Sequence, residues 1–168
     1  MYLILWKYKR MTIVKLSPEE FDSFFSLICA LADYEKLERP SAEARERLYN
    51  DAFSDKPRYE SYLVKLADGV PVAYCIVFET YSSFLAKPTL YLEDIFVLPE
   101  FRNMGIGTKV VKHLAKLAIE RNCGRIEWVV LDWNQNAIDF YNNLGGLVQK
   151  EWLPYRITED KFPQLSGE

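Results

Sequence analysis

The stretch that decides the fold runs Val97-Leu98-Pro99-Glu100-Phe101-Arg102-Asn103-Met104-Gly105-Ile106-Gly107-Thr108. Before it, Thr89 to Leu98 is rich in branched and aromatic residues and reads as a strand that Pro99 stops. After it, Ile106, Val110, Val111, Leu114, Leu117 and Ala118 recur at helical spacing, so a helix is expected from about Gly105 to Arg121. Gly105 and Gly107 at its mouth let a ligand approach the backbone. The first N–H groups of a helix have no intrahelical acceptor and sit at the positive end of its dipole. A phosphate or pyrophosphate suits them. The spacing is neither a Walker loop nor the three-glycine dinucleotide fingerprint. Charge adds to the pattern: Arg102 to Arg125 carries six basic residues against one acid, Glu120. Lys116 and Arg121 of these read as a solvated helix face.

Working outward, Thr12 to Leu16 reads as a short strand, and Ser17-Pro18-Glu19-Glu20 as a helix start. Phe21, Phe24, Phe25, Ile28, Leu31 and Ala32 follow at helical spacing, and Pro40-Ser41 opens a second helix, AEARERLYNDAF. Strands at 61–67 and 70–79 flank Asp68-Gly69, a hairpin dipeptide. Downstream, RIEWVVL (125–131) reads as a strand. Asn134 caps a short helix carrying Ala137, Ile138, Tyr141 and Leu144, and Gly145 stands at its C-terminal cap. Final strands are expected at 147–152 and 155–158, with a mobile tail over the last eight residues. Helices between strands together with a tight hairpin imply a mixed α/β sheet.

A chain of 168 residues, about half of them apolar, suits one domain over residues 1–168. Residues 1–11 read as an N-terminal extension if Met11 is the natural start. The net charge of −3 gives no footprint for nucleic acid. No run reaches membrane-spanning length, and the opening residues lack a signal-peptide cleavage site. Cys29, Cys75 and Cys123 have no CxxC spacing and only His113 for company, so free thiols in a reducing cytoplasm are expected, with no metal.

Arg102-x-x-Gly105-x-Gly107 after the Pro99 stop, together with Trp133-Asn134-x-x-Ala137-Ile138-x-Phe140-Tyr141-x-x-x-Gly145, resembles the paired motifs of the GNAT acetyltransferase superfamily. LYLEDIFVLPEFRNMGIG (90–107) looks like its diamine (spermidine/spermine) N-acetyltransferase branch, as more loosely do Ala32–Glu35 and Phe78–Tyr81. The resemblance implies a mixed, mostly antiparallel sheet with two central splayed parallel strands flanked by helices. It implies acetyl-CoA as co-substrate, its pyrophosphate on Arg102, Asn103, Met104, Gly105, Ile106, Gly107 and Thr108. Its pantetheine arm would follow Ile95, Phe96 and Val97, with Asn134 and Tyr141 toward the far end. It also implies a homodimer joined through C-terminal strands, where Trp152 and Tyr155 lie.

The chemistry asks for a group to deprotonate an amine whose pKa is near lysine's, about 10.4. Glu93 and Asp94, inside the apolar run Leu92–Val97, are the candidates. Strand alternation turns one of the pair to solvent. Glu93 is favoured as base, and Asp94 is read as helper or surface group. The resemblance implies that Tyr141 protonates the leaving thiolate, though it also falls on its helix's apolar stripe. Glu35, Glu79, Glu93 and Asp94 would surround a cation, and Tyr34, Tyr81 and Phe84 would line its methylenes. Where that branch has Tyr-Asp-Pro-Trp, this chain has Tyr81-Ser82-Ser83-Phe84, so an acid is replaced by Ser82. The expected activity is acetyl transfer to a small cationic amine, a diamine, polyamine or lysine-like molecule. A peptide or protein N-acetyltransferase and a non-catalytic CoA-binding domain are the alternatives.

Overall fold

In the computed structural model, residues 11–167 are described; the expected extension, residues 1–11, falls almost wholly outside them. Two compact units divide between Val129 and Val130.

The first unit is built on a five-stranded sheet ordered β1-β2-β3-β4-β5. Its strands are β1 (Thr12–Lys15), β2 (Glu60–Lys65), β3 (Pro71–Ser82), β4 (Lys87–Val97) and β5 (Arg125–Glu127). The pairs β1–β2, β2–β3 and β3–β4 are antiparallel, and β4–β5 is parallel. At the β2–β3 turn Gly69 takes φ +84, and its N–H donates to the Leu66 carbonyl at 2.9 Å. A left-handed residue there is what the Asp-Gly pair supplies.

Helices cover both faces. A 3-10 turn at Pro18–Glu20 leads into α1 (Phe21–Glu35), and α2 is Ala42–Phe53. Ser17 supplies no side-chain cap; Ser41 does, accepting from the Ala44 N–H at 3.2 Å. On one face Phe21, Phe24 and Leu27 of α1 pack with Leu63, Tyr74, Ile76 and Phe96. On the other, Ile106, Val110, Leu114 and Ala118 of α3 (Ile106–Glu120) pack with Val64, Cys75, Val77, Leu90 and Leu92. Val111, Leu117, Phe25, Ile28 and Leu31 from the expected stripes are only half-buried, whereas Leu27 is buried.

The β4 strand changes face midway. Ile76 pairs with Asp94 but Val77 pairs with Leu92, so Glu93 is the extra residue of a bulge. Leu90 and Leu92 therefore join the α3-side core, while Phe96 joins the α1-side core.

Two expectations are corrected. The strand at 125–131 ends at Glu127, because its partner among the described residues is β4, whose register with it stops at Tyr91. In the second unit, the strands expected at 147–152 and 155–158 do not form: their backbone has no ladder partner among the described residues, and Leu147, Trp152 and Tyr155 are exposed. That unit holds α4 (Gln135–Asn143) and, within the tail expected to be mobile, α5 (Phe162–Ser166).

Candidate active site

The mouth of α3 is built without a cap. Gly105 stands at the N-cap with φ +78, and no side chain bonds back to it. The helical ladder opens with the Lys109 N–H donating to the Gly105 carbonyl at 3.0 Å. The amides of Ile106, Gly107 and Thr108 thus precede the first intrahelical bond. By contrast, α2 is capped by Ser41, and α4 by Asn134, whose side chain accepts from the Ala137 N–H at 3.3 Å. A Cβ built on Gly105 would meet nothing within 4 Å. The glycine is required by its left-handed backbone, and the space over the turn is open. Asn103, φ +61, is exposed, while Met104 packs against the α3-side core.

Arg102 is committed elsewhere than to the open space. Its Nε donates to the Val97 carbonyl at 3.0 Å, and its guanidinium carbon lies 4.3 Å from the Tyr34 ring centre and 5.6 Å from that of Phe96. The side chain braces the turn against β4 and α1, and the backbone amides at the helix mouth stay outside that brace.

Beyond Tyr91, the outer edge of β4 beside this turn has no paired strand among the described residues. Pairing with β5 covers only Thr89, Leu90 and Tyr91. At the other end, the Leu98 N–H donates to Val72 of β3 at 3.0 Å, whereas the Val97 carbonyl faces Arg102. Alternation then points the backbone groups of Val97 and Ile95 away from β3, toward the gap. Phe96 turns its ring into the α1-side core at 3% exposure.

The carboxylates separate by face. Glu93, at the bulge, is exposed; Asp94 is half-buried and accepts from the Tyr74 hydroxyl at 3.3 Å. Burial, then the charge of Glu93, pushes the Asp94 carboxyl up to about 6, against the Tyr74 hydrogen bond that lowers it. Glu35, at the end of α1, acts on Asp94 in the same upward direction and is itself raised by burial. Glu79 lies apart from them. It engages Arg121 at 3.3 Å, beside the Arg121–Glu60 pair at 2.6 Å. Tyr81 also lies apart. It pairs with Pro88, five residues along β3 from Ile76, roughly 16 Å of strand, and is 69% exposed. Ser82 is buried, its hydroxyl accepting from the Leu85 N–H at 3.3 Å, and Phe84 is exposed at that hairpin tip.

In the second unit, Asn134 caps α4 and Tyr141 is half-buried on it, 5.1 Å from the Phe140 ring. Burial pushes the Tyr141 phenol up to about 12, so it holds its proton at neutral pH.

Sequence reasoning missed Tyr74. A tyrosine in the run Val72–Val77 reads as core, and its ring is core. Its oxygen finds a partner in Asp94, which the β4 register, with Glu93 bulged out, places on the same face.

An uncapped helix mouth beside an open strand edge fits a diphosphate carrying an extended arm. The sequence pattern of the acetyltransferase (GNAT) family matches residues 23–145. The chain is 36% identical over 151 residues to the thialysine N-epsilon-acetyltransferase of Bos taurus, covering 84% of this chain and 88% of that protein. It is 43% identical over 112 residues to L-ornithine N5-acetyltransferase NATA1 of Arabidopsis thaliana, covering 66% of this chain and 49% of that one. The solved aminoglycoside N-acetyltransferase AAC(6')-Iy in complex with CoA superposes with a TM-score of 0.72 at 18% identity, covering 88% and 95% of the two chains. The chain belongs to the GNAT acetyltransferase family and is an acyltransferase. Acetyl-CoA is the family's acetyl donor. Among the described residues, no helix is long and apolar enough to cross a membrane.

Proposed function

We propose that this enzyme transfers acetyl from acetyl-CoA to the primary amine of a small cationic acceptor, a lysine-like amino acid or a diamine. The carrying observation is the uncapped α3 mouth, where Ile106, Gly107 and Thr108 amides and the Gly105 opening adjoin the bare Ile95–Val97 edge. Bound there, acetyl-CoA supplies an activated carbonyl. The turn from Arg102 to Thr108 holds the diphosphate, and the β4 edge aligns the arm. Asp94 and Glu35 hold the acceptor's ammonium, since half-buried carboxylates with no cationic partner in contact among the described residues are electrostatically hungry. Glu93, at the water-exposed bulge, takes the ammonium proton through solvent. The amine nitrogen bonds to the carbonyl carbon, the C–S bond breaks, Tyr141 protonates the departing sulfur, and the second proton that the nitrogen sheds on becoming an amide returns to the Tyr141 phenolate. Arg102 contributes by bracing the turn, Asn134 by fixing the start of α4, and Tyr34 by seating Arg102.

Named relatives acting on thialysine and on ornithine support an acceptor with a terminal amine on a short chain. The exposed Trp152 and Tyr155 of the second unit suit a contact with a second copy, giving a homodimer. A cytoplasmic site of action, without nucleic-acid or membrane partners, accords with the free cysteines and the net charge.

The test is calorimetry with acetyl-CoA followed by thiol release across ornithine, thialysine, diamines, polyamines and lysine peptides. Micromolar acetyl-CoA affinity with turnover on the short amines is expected. Turnover on peptides alone would replace this reading with a peptide acetyltransferase, and binding without turnover on any amine with a non-catalytic CoA-binding domain.

A further inference from the structure

Tyr74 occupies a place where packing asks for a ring and nothing more. It is fully buried, edge-on to Phe24 with centroids 5.3 Å apart and 6.5 Å from Phe96. Phenylalanine would fill that volume equally. A hydroxyl in such surroundings is costly unless it is bonded, and its partner is Asp94 Oδ2 at 3.3 Å. The bulge takes up Glu93 as the extra residue, so that Asp94 stands opposite Ile76 on the α1 side of the sheet with Tyr74.

We propose that Tyr74 is a positioning residue: its buried hydroxyl fixes the Asp94 carboxylate and keeps it ionised to receive the acceptor's ammonium. This rests on the reading of Asp94 as an acceptor-binding group.

The surroundings of Asp94 press it toward its neutral form. Burial acts first, then the neighbouring charge of Glu93 on β4, and the Glu35 charge at the end of α1 adds to both. The nearest cation along the strand, Arg102, is turned onto Tyr34 and Phe96 and donates to Val97. The group from β3 that opposes this pressure is the Tyr74 hydroxyl. Burial and the Asp94 charge raise the phenol's own pKa, so it remains a proton donor across the working range. An ionised carboxylate is the form that holds an ammonium, so the hydroxyl acts on acceptor affinity through Asp94, without touching the acceptor.

Two measurements test this on the intact chain. The Asp94 carboxyl carbon, followed by NMR without coenzyme or acceptor, should titrate near 6 in the parent protein. In Tyr74→Phe the midpoint should rise by roughly one unit. In kinetics with ornithine or thialysine, the acceptor KM of that variant should rise about threefold at pH 6.5 and converge on the parent's above pH 8. The KM for acetyl-CoA should not move. A loss of packing alone would lower activity equally at every pH. An unchanged Asp94 midpoint overturns the proposal. If Tyr74→Phe does not fold, the Tyr74 Cζ resonance should step with the Asp94 midpoint in the parent and stay flat in Asp94→Asn; absence of that step in the parent is equally fatal. The NMR arm needs no turnover. A protein that shows the expected titration yet acetylates no amine therefore keeps the Tyr74–Asp94 coupling while losing the proposed activity.

Discussion

The guanidinium of Arg102 rests 4.3 Å over the ring of Tyr34 and donates to the carbonyl of Val97, so one side chain ties the turn before α3 to both α1 and β4. A stacked cation of this kind contributes about 0.5–2 kcal/mol. Arg102→Ala should lower the thermal midpoint and weaken acetyl-CoA by loosening the turn, with Arg102→Lys intermediate. Thermal melts and calorimetry on the same samples check this. Full acetyl-CoA affinity in Arg102→Ala would show that the turn stands without its brace.

Gly105 is left-handed with open space around its Cβ position, so replacement strains the backbone and clashes with nothing. Gly105→Ala should cost about 1 kcal/mol of stability, a drop of roughly 2–4 °C in Tm for a chain of this size. Acetyl-CoA affinity should fall more than that drop alone implies, because the added methyl stands in the space reserved for the diphosphate. A variant with reduced Tm but undiminished affinity would place the anion elsewhere.

Tyr141 carries a phenol that burial keeps protonated. Tyr141→Phe retains the ring and removes the proton, so kcat should fall by roughly 10²-fold with acetyl-CoA binding intact. Stopped-flow thiol release separates the two effects; an unaltered kcat would remove Tyr141 from the reaction.

Glu60 joins β2 to two cations, Lys15 at 2.9 Å and Arg121 at 2.6 Å. Burial alone would raise its carboxyl, but hydrogen bonds from Arg121 and Lys15 and their charges hold it down at about 2, below its ordinary 4.5. A depressed carboxylate stabilises the fold above its unfolded pKa, and that stabilisation is lost as pH falls from about 4.5 toward 2. Glu60→Gln should therefore cost on the order of 1–3 kcal/mol at pH 7, with the deficit closing toward pH 2. Denaturant melts at pH 7 and pH 3 give the comparison, and an equal deficit at both values would deny the linkage.

Much of the first unit was legible because its signals are local. Asp68-Gly69 announced its turn, the 3.6-residue stripe from Ile106 to Ala118 announced α3, and two glycines behind a proline stop marked the helix mouth. The facing of Glu93 and Asp94 was not legible. Alternation assumes an unbroken count, and the extra residue in β4 is visible only once β3 supplies its partners. Glu79 misled for a related reason. Its charge suggested a substrate contact, but its face of the strand meets Arg121 of the α3–β5 connection. The strands expected after Gly145 had periodicity without a neighbour, and an alternating run with no ladder to join remains extended chain.

The register of β4 against β3 leaves Glu93 outside the ladder. Omit residue 93 and Leu92 still meets Val77, Asp94 still meets Ile76, and both hydrophobic cores keep every contributor they have now. A chain one residue shorter should thus melt near the parent temperature, as a denaturation scan would show, while its acetyl transfer collapses. If instead the shortened protein unfolds, Glu93 serves folding after all. On the geometry, the architecture could do without this residue, which leaves its proposed part in proton removal as what it would be kept for.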